Sequence, residues 1–218
     1  MEPSAFAEFW GQLPPDKKIH PADKPILDAE EHIFEFANLP AFGAGPLATA
    51  PVVLCYLNNR PIYKLNERDR GFITKQEEEL KDTWGRYLAG VVEGDSRSEP
   101  RPHTEWGRKR IARLNPALQE QVAIFNIVPY RSESFRGKKQ DIAHHLPSSR
   151  MAHNHLHDVL LPAAARGERF IVIVWGPRLW RVRRTQIHGT LAVLNPGPGG
   201  YLGKNVEDRI NTWWASRQ

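Results

Sequence analysis

Four short runs, "PVVLCYL" (51–57), "VAIFNIV" (122–128), "RFIVIVW" (169–175) and "TLAVL" (190–194), carry apolar residues one after another rather than in alternation. Continuous runs of this length, rich in Val and Ile, predict strands buried on both faces of a parallel sheet. Between them the hydrophobic period becomes helical. "TKQEEELKDTWGRYLAGV" (74–91) spaces Leu80, Trp84, Tyr87 and Leu88 along one helix face, and "SSRMAHNHLHDVLL" (148–161) opens on serines that predict an N-cap and carries Met151, Leu156 and Leu160. "VEDRINTWWASR" predicts a closing helix, and shorter helices are expected near 4–11 and 27–36. Residues 92–105 read as an exposed loop. Strand and helix in alternation predict an α/β sandwich with right-handed crossovers around four parallel strands. One domain is expected, with 1–50 an extension packed on the core, 51–205 the core and 206–218 the last helix.

Composition narrows the setting. Of 218 residues 40% are hydrophobic, enough for a sizeable core, and the single cysteine, Cys55, rules out a disulfide framework or a four-cysteine metal site. No run of 18 apolar residues occurs and the N-terminus lacks a basic-then-apolar order, so a cytoplasmic protein is expected. The formal charge of +5 and pI of about 9.4 favour polyanionic partners. Basic residues gather in "GRKRIAR" (107–113), "RSESFRGKK" (131–139) and "GPRLWRVRR" (176–184). Two of these clusters directly follow predicted strands, where α/β proteins keep their ligands.

In a parallel sheet the strand C-termini share one edge, so their exits meet in space. Here they are "LNNRPIY", "FNIVPYRSES", "WGPRLWR" and "LNPGPGGYLG", and three of the four place an Asn at the rim: Asn58 or Asn59, Asn126 and Asn195. A lone Asn after a strand is ordinary turn chemistry. Three on one rim suit a neutral, planar, hydrogen-bonding ligand such as a nucleobase, because a carboxamide donates and accepts without charge. The Gly/Pro loop after residue 194 is neither a dinucleotide fingerprint, which follows the first strand, nor a P-loop, since Gly203-Lys204 is followed by Asn205 and Pro198 holds the first Gly position.

With "CYLNNRP", "AIFNIVP", "IVWG" and "LNPGPGGYL" in that order, residues 51–205 resemble the uracil-DNA glycosylase superfamily. The resemblance implies a three-layer fold around a central four-stranded parallel sheet and a monofunctional DNA N-glycosylase acting on double-stranded DNA with a flipped base, without cofactor, metal or obligatory protein partner. It assigns Asn58, with Asn59 as rival, to positioning the attacking water. Asn126 would read the extruded base, beside Pro129 and Tyr130, with Tyr63 or Phe72 stacking on it. Asn195 would stabilise the departing base. Gly197, Gly199 and Gly200 would let backbone N–H groups approach DNA phosphates, and Tyr201 and Leu202 fall near the wedge position. Arg131, Ser132, Arg178, Arg181 and Arg183 are the further DNA contacts expected after strand exits. Neutral Asn in place of the charged catalytic residues places the chain nearer the mismatch-type branch and leaves the base open: uracil, mismatched thymine, a deaminated purine or a hypermodified pyrimidine of phage DNA, the last implying antiviral defence rather than repair.

Two rival readings stay open. Five of the nine histidines fall in 143–157, and His153 and His157 at i,i+4 suit a metal-dependent nuclease or hydrolase, although no acidic residue flanks them as in "HExxH". A catalytically inactive DNA-binding module is the other. Trp180, Trp213 and Trp214 are stacking candidates but fit a core equally well.

Overall fold

The computed structural model describes residues 5–14, 17–30, 33–58, 64, 65, 67–79, 103, 105–195 and 198–218. The four apolar runs form strands β2 (Val52–Tyr56), β3 (Val122–Asn126), β4 (Phe170–Ile173) and β5 (Ala192–Leu194), each parallel to its neighbour. Every residue of β2, β3 and β4 is buried, which is why their sequences do not alternate. A two-residue strand, β1 (Gly43–Ala44), adds to β3 in the antiparallel sense. The sheet is therefore five-stranded and mixed, in the order β1-β3-β2-β4-β5, rather than four-stranded and parallel. Nothing apolar marks β1. It fits because a Cβ on Gly43 would strike the Ile124 carbonyl, so only glycine lets the chain approach β3 this closely.

Alternate strand residues build two cores. Val53, Cys55, Phe125, Ile171 and Ile173 pack with Phe6, Trp10, Leu27, Phe42, Leu156 and Trp180. Leu54, Tyr56, Ile124, Phe170 and Val172 pack on the other face with Ile111, Leu118, Val206 and Ile210. Helical segments thus cover both faces. Trp180 is fully buried, and Trp213 and Trp214 lie half-buried against the second core.

Helix boundaries depart from expectation where a distant group intervenes. The helix expected over 27–36 is instead Lys24–Leu27 plus a 3-10 turn, Asp28–Glu30, and Glu35 then runs extended, its N–H donating to the Arg131 carbonyl at 2.8 Å. Pairing with residue 131 overrides local helical preference there. The helix expected over 74–91 begins earlier, as Glu67–Glu79; Leu80, Trp84, Tyr87 and Leu88 lie outside the described residues. So does most of the expected loop 92–105, whose last residue opens a helix, Glu105–Ile111, with its first N–H bonded to the buried Asp69 carboxylate at 2.6 Å. The serines at 148–149 do not cap. They sit inside the first turn of Pro147–His155, where the Ser148 N–H bonds Asp23 Oδ1 at 2.9 Å. That helix continues through a wide π turn, Leu156–Leu160, into Leu161–Ala165, just before Pro162, which has no N–H to continue the regular ladder. The last helix is Lys204–Ala215.

Candidate functional site

The chain leaves the central strand β2 for β3 on one side and returns to β4 on the other. The topological switch point, where open α/β sheets form their ligand crevice, therefore lies outside the C-terminal ends of β2 and β4. Asn58 stands at the first of these exits, Trp175 and Gly176 at the second.

Asn58 is half-buried, and its Nδ2 donates to Ser132 Oγ at 2.7 Å and to the Tyr130 carbonyl at 3.4 Å. Ser132 Oγ in turn donates to the Ser134 carbonyl at 3.0 Å. Backbone pairing extends past β3, with the Val128 N–H on the Leu57 carbonyl at 2.8 Å, so the Asn58 and Asn126 exits run side by side. Asn126 is 3% exposed; its N–H bonds the Phe42 carbonyl at 2.6 Å and its Nδ2 the Ala41 carbonyl at 3.3 Å. Tyr130 is a core residue. Its hydroxyl donates to Asp23 Oδ2 at 2.6 Å and accepts from the His20 N–H at 3.1 Å, and burial, then the nearby Asp23, hold the phenol well above its ordinary pKa. Pro129, Arg131 and Ser132 are buried as well, beneath the rim rather than on it.

The Gly/Pro loop is closed by Asn195. Its Nδ2 donates to the Tyr201 carbonyl and its Oδ1 accepts from the Gly203 N–H, both at 2.8 Å, so both ends of the carboxamide serve the loop itself. Gly199 and Gly200 adopt φ of 63° and 76°, and Gly200 is buried where a Cβ would crowd Trp175 and Tyr56. Tyr56, kept protonated by burial, donates its hydroxyl to the Gly200 carbonyl at 2.7 Å. Arg110 Nη2 donates to the Gly199 carbonyl at 3.2 Å while its guanidinium lies 3.6 Å from the Tyr201 ring centroid and 4.6 Å from that of Trp106. Leu202 turns into the second core, whereas Tyr201 is 49% exposed. Sequence reasoning missed Tyr56, Trp106, Arg110 and Trp175: Tyr56 and Trp175 were read as strand and Arg110 as one charge in a basic cluster.

Asn59, Tyr63 and Gly197 lie outside the described residues, and Phe72 is half-buried on Glu67–Glu79. Arg178, Arg181 and Arg183 are exposed on the turn after β4. A groove of about 800 Å³ beside β5 is lined by Arg184, Ile187, His188, Thr190, Asn195 and Arg209 among others; a cavity of about 130 Å³ lies under Pro147–His155. Of these two, the groove takes in Asn195, and neither takes in Asn58 or Asn126. The His153 and His157 rings are 4.3 Å apart, but His157 Nε2 donates to the Trp180 carbonyl at 2.8 Å, and among the described residues no three His, Cys, Asp or Glu side chains group as metal ligands. Cys55 is buried, its thiol pKa raised by desolvation, so it is no nucleophile.

Comparison of the chain with protein-family models, with curated proteins and with solved structures finds no match. Among the described residues the strand exits offer the carbonyl end of the Asn58 amide and the exposed rings of Trp175 and Tyr201, groups able to accept one hydrogen bond and to stack on a planar ring, while the Asn126 and Asn195 amides are taken up within the protein.

Proposed function

We propose that the chain is a DNA glycosylase of three-layer, uracil-DNA glycosylase-like architecture that extrudes a base and hydrolyses its N-glycosidic bond. The observation that supports this reading is the set of strand exits at the switch point: Asn58 follows β2, and the loop after β5 is fastened by Tyr56, Arg110 and Asn195 with Tyr201 turned outward. Among the described residues both hydrogen bonds of the Asn58 side chain leave from Nδ2, and its carbonyl end is the group proposed to orient water. The water oxygen bonds to the sugar C1′, the C1′–N bond breaks with its electron pair going to the base, and the proton the water gives up balances the one the departing base takes from solvent. The anionic phosphates favour the cationic sugar of the transition state. Neutral amides therefore suffice for a slow enzyme, without the charged base of faster hydrolases.

Asn195 enters the proposal as a positioning residue rather than a contact to the departing base, since its amide is spent on the loop. Tyr201, stacked on Arg110, is the side chain proposed to fill the gap left by the flipped nucleotide. Base flipping costs a few kcal/mol, and stacking is worth about 1–3 kcal/mol per base.

The test is a panel of duplexes carrying uracil, mismatched thymine, deaminated purines or hypermodified pyrimidines, scored for abasic sites by alkaline cleavage. Cleavage of one substrate is expected, reduced about 10²-fold in Asn58→Ala and about 10- to 100-fold in Tyr201→Ala. Duplex binding without abasic sites on any substrate would reassign the chain as a binding module.

A further inference from the structure

On the opposite side of the same sheet edge, the cavity of about 130 Å³ lies between the helix Pro147–His155 and the turn that follows β4. Ser149 and His153, one helical turn apart, both line it. Ser149 is 3% exposed and its Oγ has no hydrogen-bond partner; neither has the buried Nε2 of His153. Other buried atoms, such as Trp10 Nε1 and Ser148 Oγ, also lack a partner, but Ser149 and His153 are the pair that line one cavity, where a ligand or ordered water can meet the need. Two guanidinium-bearing residues join them, Arg150 on the helix and Arg181 on the turn, with His144 and Asn154, and the apolar Ile127, Ala143 and Leu179 finish the lining. Arg181 is the single non-glycine among the described residues at positive φ, 51°, a strained conformation that the turn retains beside this cavity.

We propose that this cavity binds a phosphate group. Two hydroxyl or imidazole donors and two guanidiniums match an oxyanion with several acceptor oxygens. The same set excludes a metal ion, because it offers no carboxylate and two fixed positive charges. The electrostatics agree. The His153 pKa is lowered to about 4, first by burial, then by His157 and Arg181, against weaker opposing effects of Asn154 and Asp158. An anion seated beside His153 among His144, Arg150 and Arg181 supplies the missing negative charge and raises it.

The phosphate has two sources, a free phosphate-bearing molecule or the backbone of a nucleic acid, and the experiment separates them. Histidine ring signals of the full chain are followed by NMR through pH titrations with inorganic phosphate, with a short unmodified duplex and with acetate. Phosphate or duplex is expected to move the His153 midpoint up by about one pH unit or more, saturably. Movement by phosphate identifies a free ligand; movement by duplex alone identifies the backbone. Arg181→Gln should weaken the effective ligand about tenfold, and Ser149→Ala about three- to tenfold. A midpoint unmoved by both, an equal response to acetate, or undiminished affinity in Arg181→Gln overturns the proposal. None of these readouts depends on base excision, so the site stands or falls separately from the glycosylase reading.

Discussion

The loop closed by Asn195 and the cavity lined by Ser149 and His153 sit near the same sheet edge and differ in how their polar atoms are used, although Arg110 Nε beside the loop is also buried without a partner. In the loop the Asn195 amide, the Tyr56 hydroxyl and Arg110 Nη2 all bond backbone groups of the loop. In the cavity the Ser149 hydroxyl and His153 Nε2 bond nothing in the protein. The difference teaches how to read polar residues at a rim. A satisfied amide shapes a surface, whereas a buried donor without a partner awaits one, since desolvation without compensation costs about 1–3 kcal/mol.

The sharpest challenge to a prebuilt loop is Gly200→Val. Positive φ and contact with Trp175 and Tyr56 should make it cost about 2–5 kcal/mol in chemical denaturation and displace Tyr201, with duplex cleavage lost. An unchanged midpoint would show that the loop is pliant rather than held.

Acid provides the second challenge, on the cavity side. Burial lowers His155 and His153 to about 4, while unfolded imidazoles titrate near 6.5. The unfolded chain therefore takes up protons first, so stability is level above pH 6.5, falls as pH drops from 6.5 toward 4, and levels again below. The loss is on the order of 3 kcal/mol for His155, which is 7% exposed, and smaller for His153. Urea denaturation across that interval measures it. His155→Leu should remove its own share of the slope, saturating phosphate the share that belongs to His153, and burial of His20 and His103, which lowers both, leaves a remainder of the same sign.

Smaller effects compare the two polar sets directly. Asn195→Ala removes two hydrogen bonds and should cost about 1–3 kcal/mol in thermal or chemical unfolding, with base release falling alongside. Ser149→Ala removes a buried hydroxyl that bonds nothing, and stability should hold or rise, by up to about 1–3 kcal/mol, while phosphate affinity falls. Equal costs for the two substitutions would erase the distinction.

Much of the scaffold is legible from short-range pattern. The four runs of consecutive Val, Ile and Phe form β2 to β5 at nearly their expected bounds, because a strand buried on both sides has no polar face to interrupt it. Asn58 and Asn195 do follow those strands, and Asn126 is the last residue of β3. What their amides bond is another matter. Asn195 spends both ends on residues six and eight further on, and Tyr130 and Leu202, expected at the surface, are core. Residue type reports chemistry, not direction.

Hydrophobic period specifies which segments become strands and that both sheet faces are covered, since it acts over a few residues and needs no partner. Strand order, the seating of β1 on β3 through Gly43, the capping of Glu105 by Asp69 and the stacking of Arg110 under Tyr201 depend on groups dozens of residues apart. Such contacts form after the chain has folded back on itself, so the orphaned donors of Ser149 and His153 emerge only once every neighbour is in place.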